Sequence, residues 1–250
     1  MRADFNIHKI KVIKKLNEST CWIEFGDSPE AEPGQFVMVW LPGVGEKPYS
    51  IASIDPFCLL VVDVGPFSHA LSKLSPDDRV WIKGPLGQGF SLKGRAPLLV
   101  GGGYGVAPLF ALTKLAKKSD IQVHTCLGAA KNSGLLLVDE FLTLGCKVSL
   151  TTEDGSQGEK GWVTQVVEKA LQGGVYDTVY ACGPVGMLSA LAGLCKKLGV
   201  DYQLSWEAHM RCGMGLCGSC EVPQVYDPAL PEGWLACFDG PVFQYCHSGH

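Results

Sequence analysis

The N-terminal part of the chain alternates apolar and polar positions in short stretches separated by turns. Cys21, Ile23 and Phe25 alternate with Trp22 and Glu24, the period of a half-buried strand. Gln35–Leu41 and Phe57–Val64 are short, nearly continuous apolar runs suited to barrel strands, and Val80 and Ile82 alternate with Arg79, Trp81 and Lys83. Pro29, Pro33-Gly34, Pro42-Gly43, Pro66, Pro76 and Gly84-Pro85 punctuate these runs. The rhythm predicts a small antiparallel barrel.

From Pro97 the period changes. Apolar strands at Leu98–Val100, Ile121–Leu127, Cys146–Thr151 and Thr178–Ala181 alternate with helical segments. In the last of these, Leu188, Leu191, Cys195 and Leu198 share one helical face. Strand and helix in alternation predict a parallel α/β sheet. The boundary falls near Lys93–Pro97, at a Gly/Arg/Pro turn. From about Ser205 the chain loses periodicity and becomes dense in Gly, Cys and Pro, a segment that needs a metal centre or a neighbouring domain to hold it. The expected division is therefore a barrel over residues 1–95, an α/β domain over 96–203 and a small C-terminal domain over 204–250.

Composition removes several classes of function. Across 250 residues, 46% are hydrophobic and 18% charged, as in an ordinary globular protein. A net charge of −4 recommends neither nucleic acid nor an anionic membrane as partner. The longest apolar stretch, Ala96–Leu112, is broken by four glycines and two prolines, so no membrane span is expected. Met1–Lys15 carries scattered basic residues and no apolar centre, unlike a signal peptide. The expectation is a cytoplasmic protein.

Cysteine changes the picture. There are eleven, an odd number, and without an export signal a disulfide framework is not expected. Cys21, Cys58, Cys126, Cys146, Cys182, Cys195 and Cys246 are dispersed and read mostly as small buried hydrophobes. Cys212, Cys217, Cys220 and Cys237 form C-x4-C-x2-C-x16-C, which matches the plant-type [2Fe–2S] spacing. Gly213, Gly215 and Gly218 lie between the first three and let the backbone turn its N–H groups towards sulfur. A structural zinc site usually shows two separated C-x2-C knuckles, and this region has one; zinc or another cluster stays open as the alternative.

Two loops of the α/β part have candidate chemistry. Gly101-Gly102-Gly103-Tyr104-Gly105-Val106-Ala107-Pro108 follows an apolar strand and opens a helix, where glycines allow a phosphate close to the backbone. It is not the G-x-G-x-x-G fingerprint, since Val106 or Pro108 occupies the last position, and it can equally be a tight strand–helix turn. Cys182-Gly183-Pro184 ends the fourth strand, where ligands of open α/β sheets sit; alone it reads as a turn. In the barrel, Lys47-Pro48-Tyr49-Ser50-Ile51-Ala52-Ser53 places Lys47, Tyr49 and Ser53 on one side of a strand and Ser50 on the other. Such groups suit an anionic aromatic cofactor, and any barrel strand can equally carry that composition. A cluster moves single electrons and a nicotinamide moves a hydride, so a protein holding both needs a flavin, and the barrel is the domain left to bind it.

These motifs together resemble the electron transfer subunits of class B dihydroorotate dehydrogenases, within the ferredoxin–NAD(P)+ reductase superfamily. The flavin motif R-P-x-S stands as Lys47-Pro48-Tyr49-Ser50, and the turn usually written G-x-G-T as Gly65-Pro66-Phe67-Ser68. Gly84-Pro85-Leu86-Gly87-Gln88-Gly89-Phe90 matches G-P-L-G-x-x-F. The most specific stretch is Glu207-Ala208-His209-Met210-Arg211-Cys212 through Cys220, followed by Cys237-Phe238-Asp239-Gly240-Pro241-Val242-Phe243.

The resemblance implies an FAD-binding barrel, a nucleotide domain and a [2Fe–2S] domain. It also implies a catalytic partner that oxidises dihydroorotate on FMN, in a heterotetramer with two copies of each subunit, serving pyrimidine biosynthesis. Electrons would pass through the cluster to FAD and leave as hydride to NAD+. Tyr49 and Ser50 would pack and hydrogen-bond the isoalloxazine, Lys47 and Ser68 would reach the pyrophosphate, and Gly102, Gly103 and Cys182 would line the nicotinamide crevice. Cys212, Cys217, Cys220 and Cys237 would be the cluster ligands. Lys47 departs from the family's arginine and loses its bidentate geometry, and Gly-Pro-Phe-Ser loses one glycine; both bear on retention of FAD as against FMN.

The same cofactors also serve related ferredoxin:NAD(P)+ oxidoreductases and sulfide dehydrogenases. A zinc-stabilised, non-catalytic module is the alternative of another class, and it accounts for neither the glycine loops nor the barrel. The acidic turn Glu153-Asp154-Gly155-Ser156 offers no site for a 2′-phosphate, which favours NAD+. His209 reads as structural or interfacial, and the tail Gln244–His250 as a solvated extension.

Overall fold

The computed structural model describes residues 4–247. Its first unit is a closed barrel in the order β1-β2-β5-β4-β3-β6. The strands are β1 (Asn6–Lys15), β2 (Thr20–Phe25), β3 (Phe36–Leu41), β4 (Gly45–Ser53), β5 (Cys58–Val62) and β6 (Arg79–Leu86), with helix α1 (Pro66–Ser72) between the last two. Every pairing is antiparallel. Alternation in β2 sends Ile23 and Phe25 inwards, where they meet Ile10, Val39, Ile51, Leu59 and Ile82. Gly84-Pro85, expected to break the chain, runs inside β6.

The second unit is a seven-stranded sheet in the order β10-β9-β8-β7-β11-β12-β13. In chain order its elements are β7 (Pro97–Gly102), α2 (Val106–Lys118), β8 (His124–Ala129), α3 (Val138–Thr143), β9 (Lys147–Thr152), β10 (Glu159–Lys160), α4 (Val163–Gln172), β11 (Thr178–Cys182), α5 (Val185–Leu198), β12 (Asp201–Ser205) and β13 (Val242–Tyr245). All pairs are parallel except β12 with β13. The core strand β7 is buried at every position because helices cover both faces. Leu99 faces Leu109 and Phe141 of α2 and α3, while Leu98 and Val100 face Val167 of α4 and Leu188 and Leu191 of α5. Leu188, Leu191 and Cys195 are buried on the predicted face of α5.

The two units meet at the turn before β7, where the N–H groups of Arg95 and Ala96 donate to Asp177 Oδ2 at 2.7 and 3.0 Å. Tyr180 of β11 ties the preceding loop down, its hydroxyl accepting from Lys93 N–H at 2.7 Å.

The C-terminal segment, expected to need a metal centre or a neighbouring domain to hold it, packs on the α/β unit. β12 runs through Leu204, and β13 returns to the sheet edge beside it. Trp206, Cys220, Val222, Leu230, Trp234 and Cys237 join the core formed by α4, α5 and the sheet, so the segment is held by its neighbour. The first residues of the expected solvated tail likewise belong to the sheet. Gln244 and Tyr245 are strand residues, Tyr245 stacks on Tyr202 at 4.9 Å, and His247 N–H donates to Asp201 Oδ1 at 2.7 Å. Cys246 is exposed, and His250 lies outside the described residues.

Candidate functional site

β4 supplies the barrel side of a cavity of about 660 Å³, lined by the consecutive residues Lys47, Pro48, Tyr49 and Ser50. Tyr49 packs towards Phe67 of α1 with ring centroids 6.3 Å apart, and burial holds its phenol above the ordinary range. Ser53 does not share this wall. The register of β4 on β5 shifts between Ile51 and Ser53, and the Ser53 hydroxyl accepts from Lys114 Nζ of α2 at 2.7 Å.

Gly65 and Ser68 also line the cavity. The Ser68 hydroxyl accepts from the N–H groups of Val64 and Gly65 at 2.9 and 3.0 Å and donates to the Gly65 carbonyl at 3.0 Å. Its hydrogen-bonding capacity is thus spent on holding the turn that leads into α1.

The opposite wall comes from the point where the sheet reverses direction. The chain goes from β7 out to β10, then returns to β11 on the other side of β7, leaving a crevice at the strands' carboxyl ends. Gly101 and Cys182 pair across it. Gly105 must be glycine, since a Cβ there would lie 2.5 Å from the Cys182 carbonyl oxygen. Cys182 and Gly105 line the cavity, but Gly102 and Gly103 do not. Gly102 instead packs under Pro184 and Met187. Burial first, then the charge of Glu207, pushes the Cys182 thiol up to about 12, so it stays protonated at neutral pH.

The third wall is the segment leaving β12: Trp206, Glu207, Ala208, His209 and Met210. Tyr104 reaches across from the glycine loop and donates to Glu207 Oε2 at 3.2 Å. Burial raises Glu207 above the usual carboxylate range, partly offset by that hydrogen bond. Trp206 is 1% exposed, and its indole N–H has no partner among the described residues. A buried, unpaired donor in a cavity wall suits a bound ligand with an acceptor atom. Tyr104, Gly105, Trp206 and Glu207 were not assigned roles from the sequence. Their signal was position at a strand's carboxyl end, which is invisible for the last two while β12 goes unread.

Beyond Met210 the chain enters the cysteine loop. Met214 and Leu216 direct their N–H groups at Cys212 Sγ at 3.5 and 3.3 Å, and Gly215 directs its own at Cys237 Sγ at 3.2 Å. Cys237 is brought back by a local pairing in which Ala236 N–H donates to the Cys220 carbonyl and Val222 N–H to that of Trp234, each at 3.0 Å. Cys220 and Cys237 are buried and Cys217 is exposed. Hydrogen bonds from Ser219 hold the Cys217 thiol down to about 6, whereas burial pushes Cys237 up to about 12. Sulfurs met by several backbone N–H groups fit an iron–sulfur cluster, which needs thiolate ligands and such donors. Among the described residues, no three His, Cys, Asp or Glu side chains converge as ligands of a single ion. Also among them, no helix is long and apolar enough to cross a membrane.

Comparison with known proteins adds the following. Residues 207–247 match the family model of the iron-sulfur cluster binding domain of dihydroorotate dehydrogenase B, and residues 99–192 that of the oxidoreductase NAD-binding domain. A Thermococcus kodakarensis protein named "Probable dihydroorotate dehydrogenase B (NAD(+)), electron transfer subunit" is 42% identical over 220 residues, covering 88% of each chain. A Methanopyrus kandleri protein of the same name is 40% identical over 85% of this chain and 79% of its own. Among solved structures, an NADH-dependent reduced ferredoxin-NADP oxidoreductase superposes with a TM-score of 0.83 at 31% identity, covering 96% of this chain and 88% of that one. A ferredoxin NADP+ reductase from Neisseria gonorrhoeae with bound FAD and NADP shares the fold at a TM-score of 0.65 and 16% identity, over 79% of this chain and 93% of its own.

Proposed function

The chain belongs to the electron transfer subunits of dihydroorotate dehydrogenase B, and on that premise we propose that it carries electrons from a dihydroorotate-oxidising partner through a [2Fe–2S] cluster and FAD to NAD+. The observation that carries this reading is one cavity that touches all three regions: Lys47–Ser50 of the barrel, Cys182 at the sheet's reversal, and Trp206–Met210 leading into the cysteine loop. A flavin held there by Lys47, Tyr49 and Ser50 would supply the exchange between single electrons and a hydride.

The chain's residues divide the work. Tyr49 and Ser50 present an aromatic face and a hydroxyl to the flavin ring, and Lys47 brings positive charge for its phosphates. Gly65 and Ser68 fix the turn beside that charge. Gly102 and Gly103 keep the backbone low before α2, and Cys182 stands as a neutral thiol where the nicotinamide enters. Cys212, Cys217, Cys220 and Cys237 hold the cluster. Asp154, whose carboxyl is kept below its usual range by Ser156, leaves a negative turn after β9 that disfavours a 2′-phosphate and supports NAD+ over NADP+. The complex would contain two copies of each subunit, in the cytoplasm.

The likeness to the NADH-dependent reduced ferredoxin-NADP oxidoreductase favours a second reading, in which the cofactors are the same and the partner is different. One experiment addresses both. Anaerobically purified chain should show flavin and cluster absorbance that bleaches on NADH, and it should reduce artificial acceptors with NADH but not oxidise dihydroorotate. Adding a dihydroorotate-oxidising subunit should then yield a stable complex that reduces NAD+. Failure to form that complex, with the bleaching intact, would favour the second reading. Colour that ignores NADH would overturn the relay.

A further inference from the structure

Lys83 stands on β6 with 4% of its surface exposed. A buried ammonium is costly unless paired, and groups from three separate segments face this one. The carbonyl of Cys212 accepts from its Nζ at 3.1 Å, Glu46 Oε1 lies 3.1 Å away, and the ring centroid of Phe5 lies at 5.0 Å. The Glu46 contact lacks directed hydrogen-bond geometry, so it acts as a charge. Cys212 opens the cysteine loop, and Glu46 immediately precedes Lys47 on the cavity strand β4. The contact is close packed. Gly213, at φ +69, lies so near the barrel that a Cβ would sit 2.8 Å from Met38 Cγ and 3.2 Å from Leu86 Cδ1. Met38 is the register partner of Lys83 across β3 and β6.

We propose that Lys83 is a positioning residue for electron transfer. It seats the first cysteine of the loop against the strands that bear the flavin site, and it places a fixed positive charge beside the cluster. Reduction adds one electron to the cluster, so a nearby buried cation favours the reduced form and raises the potential, while Glu46 offsets part of that effect. The inference rests on reading the four cysteines as cluster ligands.

The test compares full-length wild type, K83M, K83R and E46Q, purified anaerobically. Iron and acid-labile sulfide are counted first, then the cluster's midpoint potential is titrated by electron paramagnetic resonance. K83M should lower the midpoint by at least about 59 mV, a tenfold change in a one-electron equilibrium. K83R should stay near wild type, and E46Q should shift the midpoint upwards. Opposite signs for K83M and E46Q are what a charge effect produces and a packing defect does not. K83M loaded at the wild-type potential, K83R shifting as far as K83M, or both charge variants moving the same way would each overturn the proposal. If K83M holds no iron, E46Q decides: an upward shift supports the proposal, and no shift or a downward one overturns it. Wild type lacking iron and sulfide overturns the ligand reading itself, and this inference with it, before any potential is measured.

Discussion

The hydroxyl of Tyr104 donates to Glu207 across 3.2 Å, joining the glycine loop after β7 to the segment that leaves β12 for the cysteine loop. Both side chains line the cavity. Burial raises Glu207, the Tyr104 bond pulls it back, and burial with the Glu207 charge pushes Tyr104 up to about 12. Removing the donor should therefore raise Glu207 further. In Y104F, the acid limb of NADH oxidation with an artificial acceptor should move to higher pH. In E207Q that limb should vanish, with kcat/KM falling roughly tenfold, the size of one hydrogen bond to a charged group. Steady-state pH profiles decide this, and an unmoved limb in Y104F would separate the pair from catalysis.

Substitution of the loop cysteines should sort them from the dispersed ones. C212S, C217S, C220S and C237S should each lose most of the iron and sulfide, about two of each per chain in wild type. C246S should keep them, since Cys246 is exposed beyond β13 and lies outside the C-x4-C-x2-C-x16-C set. C237S should also lower Tm more than C217S, because Cys237 is 2% exposed and part of the core. Metal analysis with the visible spectrum is the check, and full iron in any of the four would remove that residue from the ligand set.

Where the sequence was readable, the determining pattern was local. β7 announces itself because burial on both faces demands a continuous apolar run, and the cysteine spacing because three of its members lie within nine residues. β1 was unread because only His8 and Ile10 of its ten residues are buried, so basic side chains mask the alternation. β12 and β13 were unread because Asp201–Ser205 and Val242–Tyr245 are short and offer only two or three apolar positions each. The contacts that assemble the site join residues 103 and 129 positions apart, Tyr104 with Glu207 and Lys83 with Cys212, and no window of sequence brings such pairs together.

His124 should make stability fall on mild acidification. Its Nδ1 meets Tyr176 OH at 2.5 Å and its Nε2 meets Ser149 Oγ at 2.9 Å, with 6% of the residue exposed. Burial, helped by Lys147, lowers it to about 4 from an ordinary 6.5. Above 6.5 both states carry a neutral ring and the full stability is present. Between 6.5 and 4 the unfolded chain takes up a proton that the native state refuses, so stability falls as pH falls, by about 3 kcal/mol in all. Denaturant melts at pH 7 and pH 4.5 should show a smaller loss in H124N than in wild type. Equal slopes would mean that the ring titrates normally in the fold.

Asp227 fastens the cysteine-bearing segment to the nucleotide domain. It is fully buried and accepts from Tyr202 OH at 2.7 Å, Lys196 Nζ at 2.5 Å and Ala229 N–H at 3.0 Å. Tyr202 belongs to β12 and Lys196 to α5, so one carboxylate joins a strand and a helix of the nucleotide domain to the connection between Cys220 and Cys237. Removing the carboxylate leaves the buried Tyr202 hydroxyl unpaired while the partly exposed Lys196 can turn to water, a cost of about 1–3 kcal/mol. D227A should show a loss of that order, with new proteolytic cleavage between residues 221 and 236 and faster loss of iron. Y202F removes one neutral donor and should cost about 1 kcal/mol. Flavin bound by the barrel should be retained in both, because no residue of this anchor lines the cavity. Parallel loss of flavin and iron in D227A would instead mean that the variant unfolds as a whole and that the anchor is not local.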